Sequence, residues 1–260
     1  AIDTEAFTAR PITAMAPAEL AEQGLGPQNY AELLRQQLTF YARQKNFCFD
    51  SQRRLLLAPF KAIRRKNITE LVLLLLHANT QNDNHQLVIT LNPASPDDVQ
   101  ACVQLEHLVR QHRLPVVIGF GEILTGHTRV IRNGQVESFS LIDLFGISDA
   151  VVTTSIQEGF GYVFHEPWLA GKPLLGRNIP DITRDFATAG LQLGHLYDCL
   201  MIPLKWLTDG ELKNLRRDYY HKQQVFAAAL NIKPPSQESF DHTFSQAKIH
   251  PATQETADDG

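Results

Sequence analysis

From Arg53 to Pro180 the sequence alternates between short apolar runs and segments of helical spacing, and this alternation most limits what the chain can fold into. RLLLAPF (54–60), QLVITLN (86–92), LPVVIGFG (114–121), DAVVTTS (149–155) and KPLLGRNIP (172–180) read as strands. Their apolar residues are near-continuous rather than alternating, which is the mark of strands buried on both faces of a parallel sheet. Between them, NITELVLLLLHA (67–78), SPDDVQACVQLEHLVRQH (95–112), SLIDLFGI (140–147) and a segment ending at Gly171 read as helices. Asn67 followed by Glu70 has capping-box spacing and starts a helix at Asn67. Ser95 caps the next helix, with Pro96 at its first position and Asp97 and Asp98 facing the positive end of its dipole, and Ser140 caps another. TRVIRNGQVES (128–138) reads as a small hairpin turned at Asn133-Gly134. The expected fold is α/β, a Rossmann-like parallel sheet with helices on both faces. Ligands of such folds bind outside the carboxyl ends of the strands.

Flanking segments complete the plan. Residues 1 to about 29 lack an apolar period and read as extended, and 30–45 have helical spacing with Leu33, Leu34, Leu38 and Tyr41 on one face. Together, 1–50 form a helical stub or linker, 51–234 the ligand-binding domain with a long final helix at 211–230, and 235–260 a polar, disordered tail. Twenty-four basic against 28 acidic residues, a net charge of -4, give no reason to expect nucleic acid or an anionic membrane as partner. Three widely spaced cysteines without a CxxC argue against a disulfide framework or a zinc site and for a reducing, cytoplasmic setting. The longest leucine-type run, Leu71–Leu76, is far short of the ~20 residues that span a bilayer.

Two stretches carry chemistry. EGFGYVFHE (158–166) follows the strand that ends at Ser155. Gly159 and Gly161 permit backbone angles and close ligand approach that other residues block. The helix after them is expected to begin near Tyr162 or Val163, with Pro167 tolerable in or next to its first turn, where amides have no internal partner. Free amides of such a loop suit an oxyanion or a hydroxyl. Glu158 and Glu166 bracket the loop and can face one crevice, where carboxylates suit polyhydroxylated rings. KAIRRKNITE (61–70) sets Lys61, Arg64, Arg65 and Lys66 before a helix N-terminus, an arrangement suited to a diphosphate. A phosphate-rich centre with hydroxylated rings on both sides describes a nucleotide-sugar.

EGFGYVFHEPWLAGKPLL resembles the E-x7-E motif of retaining GT-B glycosyltransferases of the family 4 type, in its glycines, its second glutamate, Gly171 and Pro173. PFKAIRRKN resembles the same family's basic motif, an arginine followed five residues later by a lysine; Lys61 stands at the arginine position and Lys66 at the lysine position. The resemblance covers about residues 53–180 and implies the C-terminal, donor-binding half of a GT-B fold. It implies that Lys61 and Lys66 hold the donor diphosphate, with Arg64 or Arg65 making up for the arginine absent at position 61. It gives Glu158, Gly159, Phe160 and Gly161 to the donor sugar and Glu166 to the nucleotide ribose. Catalysis by Glu158, Lys66 and Lys61 would be positioning and charge stabilisation, with no cofactor or metal besides the NDP-sugar. Lysine lacks the planar two-point contact that arginine makes with phosphate, so Lys61 is a departure, and Pro167 replaces a small helix former.

A complete enzyme of this kind has a second, acceptor-binding domain, for which residues 1–50 are too few. The expected function is therefore hexose transfer from an NDP-sugar, with the acceptor domain missing or on another chain, and with self-association through the open cleft face. The alternative is a non-catalytic nucleotide-sugar-binding or regulatory subunit; a nucleotide-sugar epimerase keeps the fold but needs acid-base residues not visible here. Asp97-Asp98 is explained as helix first turn rather than as a metal site. GFGE (119–122) follows a strand but lacks dinucleotide-binding spacing, and His165 is a structural or ligand-touching residue.

Overall fold

The computed structural model describes residues 27–81, 84–126, 128–132, 135–200 and 207–247. The chain divides into two compact units, one ending at Cys199 and one beginning at Leu200. In the first, a helix α1 (Pro27–Gln44) leads into β1 (Arg54–Lys61), a 3-10 turn (Arg64–Lys66), α2 (Ile68–Thr80), β2 (His85–Leu91), α3 (Pro96–Gln111) and β3 (Val116–Ile118). A 3-10 turn (Phe120–Ile123), the strands β4 (Val130–Arg132) and β5 (Gln135–Ser138), α4 (Leu141–Ile147) and β6 (Ala150–Thr153) follow. Then come α5 (Tyr162–Leu169), β7 (Leu174–Arg177), α6 (Pro180–Thr188) and β8 (Leu196–Tyr197).

The sheet is six-stranded in the order β3-β2-β1-β6-β7-β8, and every pairing in it is parallel. The chain lays down β1, β2 and β3 in one direction, then returns to the other side of β1 for β6, β7 and β8. That order is doubly wound, and its switch point lies between β1 and β6. β4 and β5 form a separate antiparallel hairpin. Leu55, Leu57, Leu87, Val88, Ile89, Val116, Val117 and Val151 are all fully buried, as strands covered on both faces require.

β1 runs one residue past the expected apolar run, to Lys61, across an irregularity in its pairing with β2 between Ala58 and Lys61. A proline has no N–H for a ladder, and a bulge is where a strand tolerates one. The kink brings Phe60 and Lys61 to the carboxyl end of the sheet.

The N-terminal helix is part of this core rather than a stub beside it. Tyr30, Leu34 and Leu38 are fully buried, Tyr41 donates its hydroxyl to the Ile118 carbonyl at 3.0 Å, and Tyr30 meets Phe139 edge-on. Burial pushes the Tyr41 phenol up to about 12. Residues 27–29, expected to be extended, belong to this helix. The rest of the extended segment (1–26), the Asn133-Gly134 turn and residues 248–260 lie outside the described residues.

α6 and β8 are elements that the strand reading of KPLLGRNIP did not anticipate: the strand ends at Arg177 and Pro180 opens a helix. The second unit holds α7 (Asp209–Ala229), opened by a capping box between Thr208 and Glu211, and α8 (Gln237–Ala247). α8 falls within the segment expected to be a disordered tail. It is fixed to α7 by Arg216, which binds Asp241 through both Nε and Nη2, and by a ring contact between Tyr220 and Phe240. Among the described residues, no helix is long and apolar enough to cross a membrane.

Candidate functional site

The loops that leave β1 and β6 meet at the switch point, because these strands are parallel neighbours and both end at the same edge. Backbone and side-chain bonds lock the loops together. Ile156 N donates to the Arg65 carbonyl at 3.0 Å, and the buried Thr154 hydroxyl donates to the carbonyls of Lys66 and Asn67 at 2.8 and 3.0 Å.

Above this junction lies a cavity of about 680 Å³, of the size that takes a drug-sized or nucleotide ligand. Its walls include Lys61, Arg65 and Lys66 from the first loop and Glu158, Gly159, Phe160, Gly161 and Glu166 from the second. All but one of the charged and glycine-loop residues singled out in the two sequence motifs thus border one space. Arg64 does not; its amide donates to Asp98 at 2.9 Å, tying the turn to the start of α3. GFGE does not either: Glu122 accepts from the Asn92 amide at 2.9 Å. Asp98 reaches back to its cap, since Ser95 accepts from the Asp98 amide, so the aspartate pair serves the helix.

Lys66 and Glu158 form an ion pair whose side chains are 8% and 7% exposed. Arg65, half exposed, approaches the same carboxylate at 3.4 Å and also donates to the Gln157 carbonyl. The Lys66 ammonium lies 4.9 Å from the centre of the Phe60 ring. Burial pushes its pKa below the ordinary lysine value, and the bond and charge of Glu158 oppose that push. The result is a cation held at a fixed point beside a carboxylate, able to meet an anion without being lost to solvent.

The glycine loop is shaped by one glycine and not by the other. Gly161 has φ 68°, and a Cβ on it would stand 2.6 Å from Ile182 Cγ2 of α6. Gly159 has no left-handed φ, and a Cβ there would meet nothing within 4 Å. Among the described residues, nothing accepts from the amides of Gly159, Phe160 and Gly161, which leaves them for a ligand.

α5 begins at Tyr162, as expected, but Pro167 is its sixth residue and not in its first turn. Having no N–H, it cannot bond the Val163 carbonyl four residues before it, and beyond the helix end Gly171 N and Lys172 N close back on the carbonyls of Trp168 and Pro167. His165 accepts a structural role: its Nδ1 is 3.0 Å from the Gly161 carbonyl and its ring packs edge-on against Phe186.

One functional candidate escaped the sequence reading. Tyr162 borders the cavity and its ring stacks on that of Phe160, ring centres 5.6 Å apart, while Phe160 is 79% exposed. Two aromatic residues either side of Gly161 were the available signal. Tyr162 and Glu166 are four apart on α5 and share a face.

No protein-family model matches the chain. No curated protein matches it. Among solved structures it is similar to WaaG, a glycosyltransferase involved in lipopolysaccharide biosynthesis, at 19% identity and a TM-score of 0.35, over 59% of this chain and 36% of that one. It is similar to the pneumococcal O-GlcNAc transferase GtfA, solved in complex with UDP and GlcNAc, at 17% identity and 0.36, over 78% and 34%. A GtfA/B complex matches at 17% and 0.37, over 78% and 35%. The chain spans about a third of the length of these chains.

Proposed function

We propose that this crevice holds the NDP-sugar donor of a retaining, GT-B-type hexosyltransferase, and that the chain is its donor-binding half. The observation that carries the reading is the convergence of three cations and two carboxylates on one cavity at the switch point of a doubly wound sheet. Lys61, Arg65 and Lys66 suit a diphosphate. Glu158, with the amides of the glycine loop, suits the sugar, and Glu166 suits the ribose hydroxyls. As the glycosidic bond to the diphosphate breaks, negative charge grows on the leaving oxygens, and the fixed Lys66 and Lys61 ammonium groups offset it without a metal. The acceptor would be presented by a further domain or a partner chain.

Calorimetry with UDP, GDP and ADP, each with and without attached glucose or mannose, tests this reading. Binding selective for one base is expected; no binding of any of these ligands overturns it. Binding without sugar transfer, once a partner chain that completes the cleft is supplied, would point to a regulatory subunit instead.

The pH dependence follows from Lys66. Its charged form binds the anion, so affinity should fall as pH rises through its lowered pKa, before an ordinary lysine near 10.5 would titrate. Stability of the unliganded protein has the opposite sign. With the folded-state value below the unfolded one, the unfolded chain binds more protons in that window. Stability gains from Lys66 as pH rises there. Urea titrations of wild type and Lys66→Met across alkaline pH should show this slope in the wild type alone.

A further inference from the structure

Asn67, the residue after Lys66, stands in the left-handed region at φ 49°, ψ 49° and makes no side-chain cap to α2. The capping box expected of Asn67 and Glu70 is therefore absent. Instead the Asn67 side chain donates through Nδ2 to Glu70 Oε2 at 2.7 Å. Glu70 is itself held from the far side of the sheet's switch point. Arg177 Nη2, at the end of β7, donates to both of its oxygens at 2.7 and 2.6 Å, and the Tyr197 hydroxyl of β8 donates to Oε1 at 2.6 Å. The Arg177 and Glu70 side chains are 19% and 13% exposed. Burial and the adjoining Glu70 push the Tyr197 phenol well above its ordinary value, so it remains a donor. None of these three residues borders the cavity.

A left-handed backbone disfavours every residue with a Cβ, asparagine least among them. Something must hold Asn67 there, and its direction sets where the preceding residue points. We propose that Arg177, Tyr197 and Glu70 are positioning residues: through the Glu70–Asn67 bond they fix the left-handed turn that aims Lys66 at Glu158 and into the cavity. The proposal rests on the anion-binding role given to Lys66. It adds that β7 and β8, which supply no residue to that cavity, act on it through α2.

The conformation and the side chain at position 67 can be separated. Asn67→Gly adopts the left-handed turn without help, whereas Asn67→Ala loses the bond and is strained there. Two readouts apply to the full chain: calorimetric affinity for inorganic pyrophosphate, and the titration of the Lys66 ammonium followed by NMR after reductive methylation. Lys66 faces Glu158, Arg65 and Glu166. If the turn relaxes, Lys66 leaves this pocket and its pKa returns toward that of an ordinary lysine.

Asn67→Ala and Glu70→Gln should each weaken pyrophosphate binding roughly tenfold and move the Lys66 titration up. Asn67→Gly should keep both near wild type, and Glu70→Gln/Asn67→Gly should recover what Glu70→Gln loses. Equal behaviour of Asn67→Ala and Asn67→Gly, or no rescue in a double variant that unfolds like Glu70→Gln, overturns the proposal. If wild type binds no pyrophosphate, the anion-site reading fails, and the Lys66 titrations of the two Asn67 variants still decide the positioning role.

Discussion

Replacing Lys66 by methionine is expected to do two separable kinds of damage. Methionine keeps an apolar chain of similar length but deletes both the charge and the N–H donor to Glu158, which a neutral lysine amine at high pH would still supply. Glu158 is then left with a nearly buried carboxylate whose remaining cation, Arg65, is half exposed and 3.4 Å away. Breaking a buried pair by removing one partner costs roughly 3–5 kcal/mol; with Arg65 partly compensating, a loss of about 3 kcal/mol is expected in urea unfolding. The second damage is to ligand binding. A charge-assisted contact to a diphosphate is lost and an unneutralised carboxylate now faces the anion, so nucleotide-diphosphate affinity should drop by about 100-fold or more.

The double variant Lys66→Met/Glu158→Gln tells the two apart. A neutral amide in place of the carboxylate should recover most of the stability, because no lone charge remains buried. It should recover none of the diphosphate affinity, because the cation is still missing. If the single variant binds UDP or GDP as wild type does, Lys66 is not a phosphate ligand and the proposed function loses its centre.

The side chains of the site were legible because their spacing in the sequence coincides with a feature of the fold. Lys61 ends β1 and Lys66 closes the turn after it, Glu158 and Glu166 follow β6, and a parallel sheet puts both loops at one edge. Strand type was legible for the same reason, as near-continuous burial leaves no alternation to read. What was not legible is backbone handedness. Asn67 and Glu70 have the spacing of a capping box, and Ser140 and Asp143 form a true one. The difference lies in Arg177 and Tyr197, more than a hundred residues away, which claim the Glu70 carboxylate. β8, with two residues, is too short to show a pattern, and α8 carries too few apolar residues to mark a helix.

The glycine motif illustrates how one pattern can hide two causes, and substituting each glycine by alanine should expose them. At Gly161, alanine must adopt φ 68° and place its methyl 2.6 Å from Ile182. The left-handed backbone costs roughly 1–2 kcal/mol and the overpacking ~1–3 kcal/mol, so Gly161→Ala should destabilise by about 2–4 kcal/mol in thermal or urea unfolding. At Gly159 the backbone is ordinary and the methyl meets open space. Gly159→Ala should unfold within ~0.5 kcal/mol of wild type. Yet Gly159 borders the cavity, and among the described residues nothing accepts from its amide. If the donor sugar sits against this loop, the added methyl occupies ground that the sugar needs, and affinity for the NDP-sugar should fall about tenfold while affinity for the bare NDP holds. Equal loss for both ligands would put the diphosphate, not the sugar, against Gly159. No loss for either would mean that the ligand stays clear of the loop. Gly159 would then owe its place to neither the fold nor the ligand, and Glu158 would lose its role as the sugar's carboxylate while Lys66 kept its own as the anion's cation.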